Sequence, residues 1–310
     1  MKEERSKPKA IVLCGPTGIG KTATAISISQ RMSCQVIGAD SMQIYRYMDI
    51  GTAKPTIEEK ALVPHHMIDI IDPDEPFDAE SYASCARPIA FDLYGKNIVP
   101  LVVGGTGLYL KALLCGLFSI NEGDVGIRNR LRAEADCCGV EPLYKKLKTI
   151  DPEASKKIHP NDAFRIIRAL EVFETTGRPI SFHQQKHRFK NKYFVTLKIG
   201  LTTDRDRLYE RINRRVLAMM NEGFLNEVKR LLERGYSPKL KSMQSIGYKQ
   251  LIDHLGGKQS LSESISLIQR ETRRYAKRQL TWFRSDKEIV WMDPEQFSEI
   301  LTMTKQFLRN

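Results

Sequence analysis

The chain has 310 residues, 41% apolar and 28% charged, an ordinary globular balance and enough length for a core plus an appended unit. No apolar run approaches the roughly 20 residues of a membrane span. The charged start MKEERSKPKA lacks the apolar stretch of a secretory signal, so a cytoplasmic protein without membrane association is expected. The net charge of +12, from 49 Lys/Arg against 37 Asp/Glu, favours a polyanionic partner such as nucleic acid or an anionic membrane surface. Six cysteines with no C-x-x-C pair read as reduced thiols, not as a disulfide framework or zinc site.

The first predicted elements are a strand at 9–14 and a helix at 22–32. Between them lies GPTGIGKT, residues 15–22, which fits G-x-x-x-x-G-K-[ST] at Gly15, Gly20, Lys21 and Thr22. Glycines let backbone N–H groups turn inward on phosphate oxygens, Lys21 adds a point charge, and the Thr22 hydroxyl is placed to hold Mg2+. Pro16, Thr17, Gly18 and Ile19 complete the loop, and the helix start adds its positive dipole end. A glycine turn with no ligand is the plain alternative, and the strand and helix on either side argue against it. The motif specifies a phosphate. It does not say what carries that phosphate or whether a phosphoryl group moves.

A strand at 34–38, a helix at 78–94, a strand at 98–103 and a helix at 107–115 continue a βαβ rhythm. The fold class is therefore α/β: a P-loop NTPase-like parallel sheet with helices on both faces. From 117 to 192 no strand pattern occurs, and helices are predicted at 125–137, 141–149, 151–158 and 161–176. Residues 121–192 carry 15 Lys/Arg and 10 Asp/Glu. A strand at 194–201 then needs sheet neighbours that only the earlier strands supply. The expected organisation is thus a core in two parts, 1–116 and 193–310, interrupted by an all-helical insertion at 117–192. Helices at 204–221, 223–234, 243–255 and 261–284, a strand at 288–292 and a helix at 294–308 finish the chain.

Ligands of open α/β sheets bind beyond the carboxyl ends of the strands. Besides the phosphate loop, that places Ala39–Tyr45 and Gly104–Tyr109 at the site. Asp40 there has two readings: a proton acceptor or water-mediated Mg2+ ligand, or a helix cap or Asx-turn. Thr106 donates to a phosphate oxygen or caps a helix. His65-His66 resembles a metal pair, but adjacent residues point apart, so structural histidines in a loop are expected. In the 261–284 helix, Arg270, Arg273, Arg274, Lys277, Arg278 and Arg284 face one acid, Glu271, and recur at helical spacing. Tyr275, Leu280, Trp282 and Phe283 offer apolar packing. That basic face is either merely solvated or a phosphate-contacting surface.

Seven strings recur in order: GPTGIGKT, DSMQIYRYMDIGTAKP (40–55), HHMIDI (65–70), GGTGLYLKALL (104–114), NDAFRIIRALEVFETTGRP (161–179), SIGYKQ (245–250) and TRRYAKRQLTWFR (272–284). Together they resemble the bacterial tRNA dimethylallyltransferases, or tRNA isopentenyltransferases, from about Lys9 to about Asp293. The resemblance implies transfer of a dimethylallyl group from dimethylallyl diphosphate to N6 of adenosine 37, beside the tRNA anticodon, in an Mg2+-dependent monomer. The P-loop then binds a diphosphate leaving group and has no need of ATP. Asp40 becomes the base, Lys21 and Thr106 stabilise the leaving diphosphate, and Arg211 and Arg215 reach it. Asp40, Ser41, Met42 and Gln43 receive the extruded adenine. Thr106, Arg128, the segment Phe164, Arg165, Ile166, Ile167, Arg168 and the segment Gln244, Ser245, Ile246, Gly247, Tyr248, Lys249 correspond to tRNA-contacting positions. The resembling family usually has Pro-Gln where this chain has Ala163-Phe164. A base-bonding side chain is thereby replaced by one that stacks.

Three competing classes stay open on sequence. An adenylate isopentenyltransferase would prenylate free AMP, ADP or ATP. A P-loop nucleoside or metabolite kinase would turn over ATP, with the basic 121–192 insertion as its arginine-rich lid. A non-enzymatic nucleic-acid-binding protein would tolerate Asp40→Ala.

Overall fold

The computed structural model describes residues 7–117, 125–187 and 191–309. The core begins β1 (Lys9–Cys14), α1 (Lys21–Ser29), β2 (Cys34–Gly38), α2 (Ile57–Leu62), β3 (His65–His66), α3 (Ala79–Gly95), β4 (Val99–Gly104) and α4 (Gly107–Cys115). A helical stretch follows: α5 (Val125–Cys138), α6 (Glu141–Ile150), α7 (Pro152–Lys157), α8 (Ala163–Thr176) and α9 (Ile180–His187). The chain ends with β5 (Val195–Leu201), α10 (Arg205–Asn221), α11 (Phe224–Glu233), α12 (Tyr248–Leu255), α13 (Leu261–Arg284), β6 (Ile289–Met292) and α14 (Phe297–Arg309).

The six strands form one sheet in the order β3-β2-β4-β1-β5-β6, and each pairing is parallel. Parallel sheets are covered on both faces, which is why β1 (KAIVLC) and β4 (VPLVVG) read as unbroken apolar runs. β1 lies between β4 and β5, with Leu13 level with Val103 on one side and Ile199 on the other. The chain leaving β1 runs to β2, on the far side of β4. The chain leaving β4 returns to β5, on the opposite side of β1. This reversal opens a crevice at the carboxyl ends of β1 and β4, where ligands of such sheets sit.

Two apolar clusters hold the core. One packs Ile11, Leu13, Leu101, Val103, Ile199 and Leu201 of the sheet against Ile28 of α1 and Leu208 and Ile212 of α10. The other lies beneath the loop after β2, where Ile44 and Met48 meet Phe224, Val228, Met243, Tyr248 and Ile268. The loops after β2 and β4 are locked together. Ala39 donates its N–H to Val103 O at 2.8 Å and accepts from Thr106 N–H at 3.1 Å. A Cβ on Gly104 would lie 2.0 Å from Ala39 O, so only glycine lets these strand ends close.

Residues Cys115–Asn191 form a compact unit of their own, separate from Met1–Leu114 with Lys192–Asn310. The helical unit is centred on Leu131, Leu143, Leu147, Ile166 and Leu170. Asp151 caps α7 through Ala154 N–H at 2.9 Å, and Asp162 caps α8 through Arg165 N–H at 3.1 Å.

Three local expectations need correction. His65 and His66 are not loop residues: they form β3, pairing with Val36 and Ile37 of β2. Helices α2 and α9 were not anticipated; the Thr56-x-x-Glu59 capping box was the available signal for α2. The helix expected at 243–255 starts only at Tyr248, because Gly247 has φ 97° and the preceding residues make turns.

The Gly104 contact gives a test of the locked loops. Gly104→Ala is expected to lower unfolding free energy by about 1–3 kcal/mol through overpacking. Gly95→Ala, whose Cβ would meet nothing within 4 Å, is expected to leave it unchanged or raise it slightly. Urea denaturation of both variants makes the comparison.

Candidate active site

The phosphate loop leaves β1 at Gly15 and enters α1 through Gly20, whose φ of 105° is left-handed. A bare backbone is needed there, and it faces the guanidinium of Arg211: a Cβ on Gly20 would lie 3.2 Å from Arg211 Nη2. Lys21 folds back over its own loop, donating from Nζ to Gly15 O at 3.0 Å and Pro16 O at 2.8 Å. Burial pushes the Lys21 ammonium down to about 8; Asp40 opposes that shift and Arg215 adds to it. Burial also lowers Arg215 from its ordinary value, again against Asp40. Helix α10 presents Arg211, Arg214 and Arg215 to the same space. The result is a cavity of about 620 Å³ containing Thr17, Gly18, Lys21, Thr22, Asp40 and this arginine set.

Asp40 follows β2 and adopts the Asx-turn foreseen as one of its two readings. Its Oδ1 accepts Met42 N–H at 2.8 Å and Gln43 N–H at 3.4 Å. The carboxylate also lines the phosphate-loop cavity, so the turn aims it without removing it from the site. Thr106 Oγ1 accepts Ser41 N–H at 3.1 Å, tying the loop after β4 to the loop after β2.

A second cavity of about 360 Å³ shares Thr17, Asp40, Thr52, Arg215 and Tyr275 with the first. Its other walls are more apolar: Met42, Val216, Met219, Phe224 and Ile268, with Gln244, Ser245, Ile246, Gly247 and Tyr248. The buried carboxylate of Glu227 organises this wall. It accepts from the backbone N–H groups of Asp49 (2.9 Å), Ile50 (2.7 Å) and Gly51 (3.1 Å) and from the Tyr248 hydroxyl at 2.6 Å. Burial and Glu227 together raise the Tyr248 phenol well above its usual range. Lys249 lies exposed beyond the cavity lining.

Helix α13 supplies the remaining wall. Thr272 and Tyr275 face the second cavity, and Tyr275 and Gln279 the first, so the inward stripe runs i, i+3, i+7. Tyr275, expected only to pack, lines both cavities, and burial pushes its phenol up to about 12. The outward face carries exposed Arg270, Arg274, Lys277 and Arg284. Arg273 does not join that face, contrary to expectation: it donates to Asn213 Oδ1 at 2.5 Å on α10.

In the helical unit Phe164 is 75% exposed and Arg165 is likewise open to solvent. Ile166 and Ile167 are buried in the unit's core, so their side chains cannot face a partner as expected of that segment. Arg128 and Arg168 both pair with Glu171, which is 1% exposed, at 2.7 and 3.1 Å. One buried carboxylate thus holds two arginines side by side.

The family model described as IPP transferase matches residues 43–286, and one described as isopentenyl transferase matches residues 8–64. The chain belongs to the IPP transferase family. Among its relatives, a tRNA dimethylallyltransferase of Desulfosudis oleivorans is 52% identical, covering 98% of this chain and 97% of its own length. One of Syntrophobacter fumaroxidans is 53% identical over 91% of this chain and 83% of its own length. The solved tRNA isopentenylpyrophosphate transferase of Bacillus halodurans superposes with TM-score 0.73 at 41% identity, covering 98% of this chain and 97% of that one. A eukaryotic dimethylallyltransferase solved acting on tRNA gives TM-score 0.81 at 29% identity, covering 93% of this chain and 74% of that one.

Residues of the site that escaped sequence reading include Glu59, Arg214, Glu227, Tyr275 and Gln279. Tyr275 and Gln279 left a signal, an i, i+4 pair on the side of α13 opposite Arg270, Lys277 and Arg284, while Arg278 reaches the second cavity beside them. His65 and His66 belong to the frame, with His65 Nδ1 2.7 Å from Val63 O and His66 Nε2 2.8 Å from Gln35 Oε1.

Glu227→Ala leaves three partly buried N–H groups and a buried tyrosine hydroxyl unpaired. It is expected to cost roughly 3 kcal/mol or more in urea unfolding. Lys21 gives a pH test. Its charged form dominates below about 8 in the free protein, so affinity for inorganic pyrophosphate should fall as pH rises from 7 to 9. Calorimetry on Lys21→Met should show that this limb has flattened.

Proposed function

We propose that this protein prenylates tRNA, moving a dimethylallyl group from dimethylallyl diphosphate to N6 of the adenosine at position 37. The observation that carries the reading is the pair of joined cavities. One is cationic and phosphate-loop-lined; the other is more apolar; Asp40 belongs to both. A diphosphate fits the first and an extruded adenine with the allyl group fits the second. The names of the relatives support the same chemistry.

In the reaction a bond forms between N6 and the allylic C1 as the C1–O bond to diphosphate breaks. The N6 proton passes to Asp40, and diphosphate leaves with the electron pair. The N6 lone pair is delocalised into the purine, so polarisation by a carboxylate before bond formation raises its reactivity. Negative charge growing on the diphosphate is met by Lys21, Arg211 and Arg215, with Thr106 at the neighbouring loop. The Thr22 hydroxyl and the Asp40 and Glu59 carboxylates share the phosphate-loop cavity, a hard-oxygen set that suits Mg2+ brought with a diphosphate. Bound there, Mg2+ would neutralise charge on the leaving group. Loop residues Asp40 to Gln43 and Gln244 to Tyr248 receive the flipped base. Phe164 stacks on an unpaired base, while Arg165, Arg128 and Arg168 contact tRNA phosphates, as do Arg270, Arg274 and Lys277 of α13. The protein acts as a monomer in the cytoplasm.

Unmodified tRNA incubated with protein, Mg2+ and dimethylallyl diphosphate, digested and read by nucleoside mass spectrometry, should contain a prenylated adenosine. Product on free AMP but not on tRNA would overturn the acceptor; no product on either would overturn the reaction. Asp40→Asn retains an oxygen for the Met42 turn but not a base. Its kcat should fall on the order of 10²–10⁴-fold, with tRNA affinity little changed; a retained rate would remove Asp40 as the base.

A further inference from the structure

One side chain bridges the two loops that the proposed reaction must keep in register. Gln279 is buried on α13. Its Oε1 accepts the Thr17 N–H of the phosphate loop at 2.9 Å, and its Nε2 donates to Gly105 O of the loop after β4 at 2.9 Å. Both ends of one amide are therefore used, each on the backbone of a different strand–helix loop. The approach is close enough to dictate sequence on the far side. A Cβ on Gly105 would lie 2.2 Å from Gln279 Nε2, and one on Gly107 would lie 2.0 Å from Trp282 Nε1, one turn further along α13. Neither glycine has a left-handed φ, so close approach, not backbone freedom, is what demands them.

Other amide-sized side chains do not reproduce this bridge. A glutamate accepts from Thr17 but meets Gly105 O as a second acceptor. A methionine of similar length makes neither bond and leaves a buried N–H and C=O unpaired. Thr106, next to Gly105, and Thr17, inside the phosphate loop, then lose their common reference.

We propose that Gln279 is a positioning residue: its amide fixes the phosphate loop relative to the Gly104–Tyr109 loop, setting Thr106 against the diphosphate. The proposal rests on the prenyl-transfer reading for its kinetic consequence, but its effect on diphosphate binding does not depend on transfer. The exposed basic face of α13 lies on the other side of the helix, so tRNA affinity is independent of the bridge.

The test uses full-length Gln279→Met, Gly105→Ala and the double variant. Gly105→Ala expels the Gln279 amide from the opposite side without altering Gln279. Each single variant should lower kcat about 10–100-fold, the scale of a 1 Å misplacement. KM for dimethylallyl diphosphate and Kd for inorganic pyrophosphate should rise several-fold, with Kd for tRNA within twofold of the unaltered protein. The double variant should match the single ones, since both break the same bridge. Gln279→Asn, too short to span both loops, should not rescue. Additive losses, an equal loss of tRNA affinity, or pyrophosphate binding and kcat within twofold of the unaltered protein would each overturn the proposal. An unaltered protein that binds pyrophosphate but transfers no prenyl group would instead overturn the functional reading, leaving the pyrophosphate titrations to judge Gln279.

Discussion

The site depends on holding cations together where water is scarce. Burial lowers Lys21 and Arg215, Arg215 further lowers Lys21, and Asp40 is the carboxylate that opposes both shifts. A polyphosphate relieves that arrangement better than a single carboxylate, because it brings several negative oxygens to several donors at once. The same compression explains why carboxylates, Asp40 and Glu59, line a cavity otherwise crowded with cations. Without Asp40, Lys21 would lose the largest charge that opposes its burial, and Arg215 would keep only Glu59 and Glu222.

The fold serves this electrostatic centre through geometry. Placing β1 between β4 and β5 puts three loops at one end of the sheet, and glycines at 104, 105 and 107 let those loops and α13 approach within contact distance. Helix α10 brings in the arginines. Glu227 ties the loop around Asp49–Gly51 to Tyr248, so the apolar wall is as fixed as the cationic one. In the helical unit Glu171 does comparable work, holding Arg128 and Arg168 as a pair.

Much of this was legible in the residues. The apolar runs and the G-x-x-x-x-G-K-T spacing carried the parallel sheet and its phosphate loop, because both are local patterns. The strand-end rule carried Asp40 to both cavities, and Thr106 to a hydrogen bond with the loop beside them, outside the cavity lining. What the chain hid was long-range. Glu227 is an unremarkable acid on an amphipathic helix until Asp49–Gly51 folds onto it. Gln279 sits in a basic run whose charges draw attention away from its inward face. Arg273 was assigned to the basic face by spacing alone, yet Asn213, sixty residues earlier, captures it. Ile166 and Ile167 illustrate the converse: two of the five side chains in a segment assigned to a partner build the unit's own core instead.

The central claim is that the phosphate loop holds a leaving diphosphate and not a nucleotide that donates phosphoryl groups. Its most direct measurement is product stoichiometry with ATP and dimethylallyl diphosphate both present: pyrophosphate released, ADP formed and prenyl groups entering tRNA, followed together. The account predicts one pyrophosphate per prenyl group and no ADP beyond background. ADP formation that tracks turnover, or pyrophosphate release without tRNA prenylation, would contradict it.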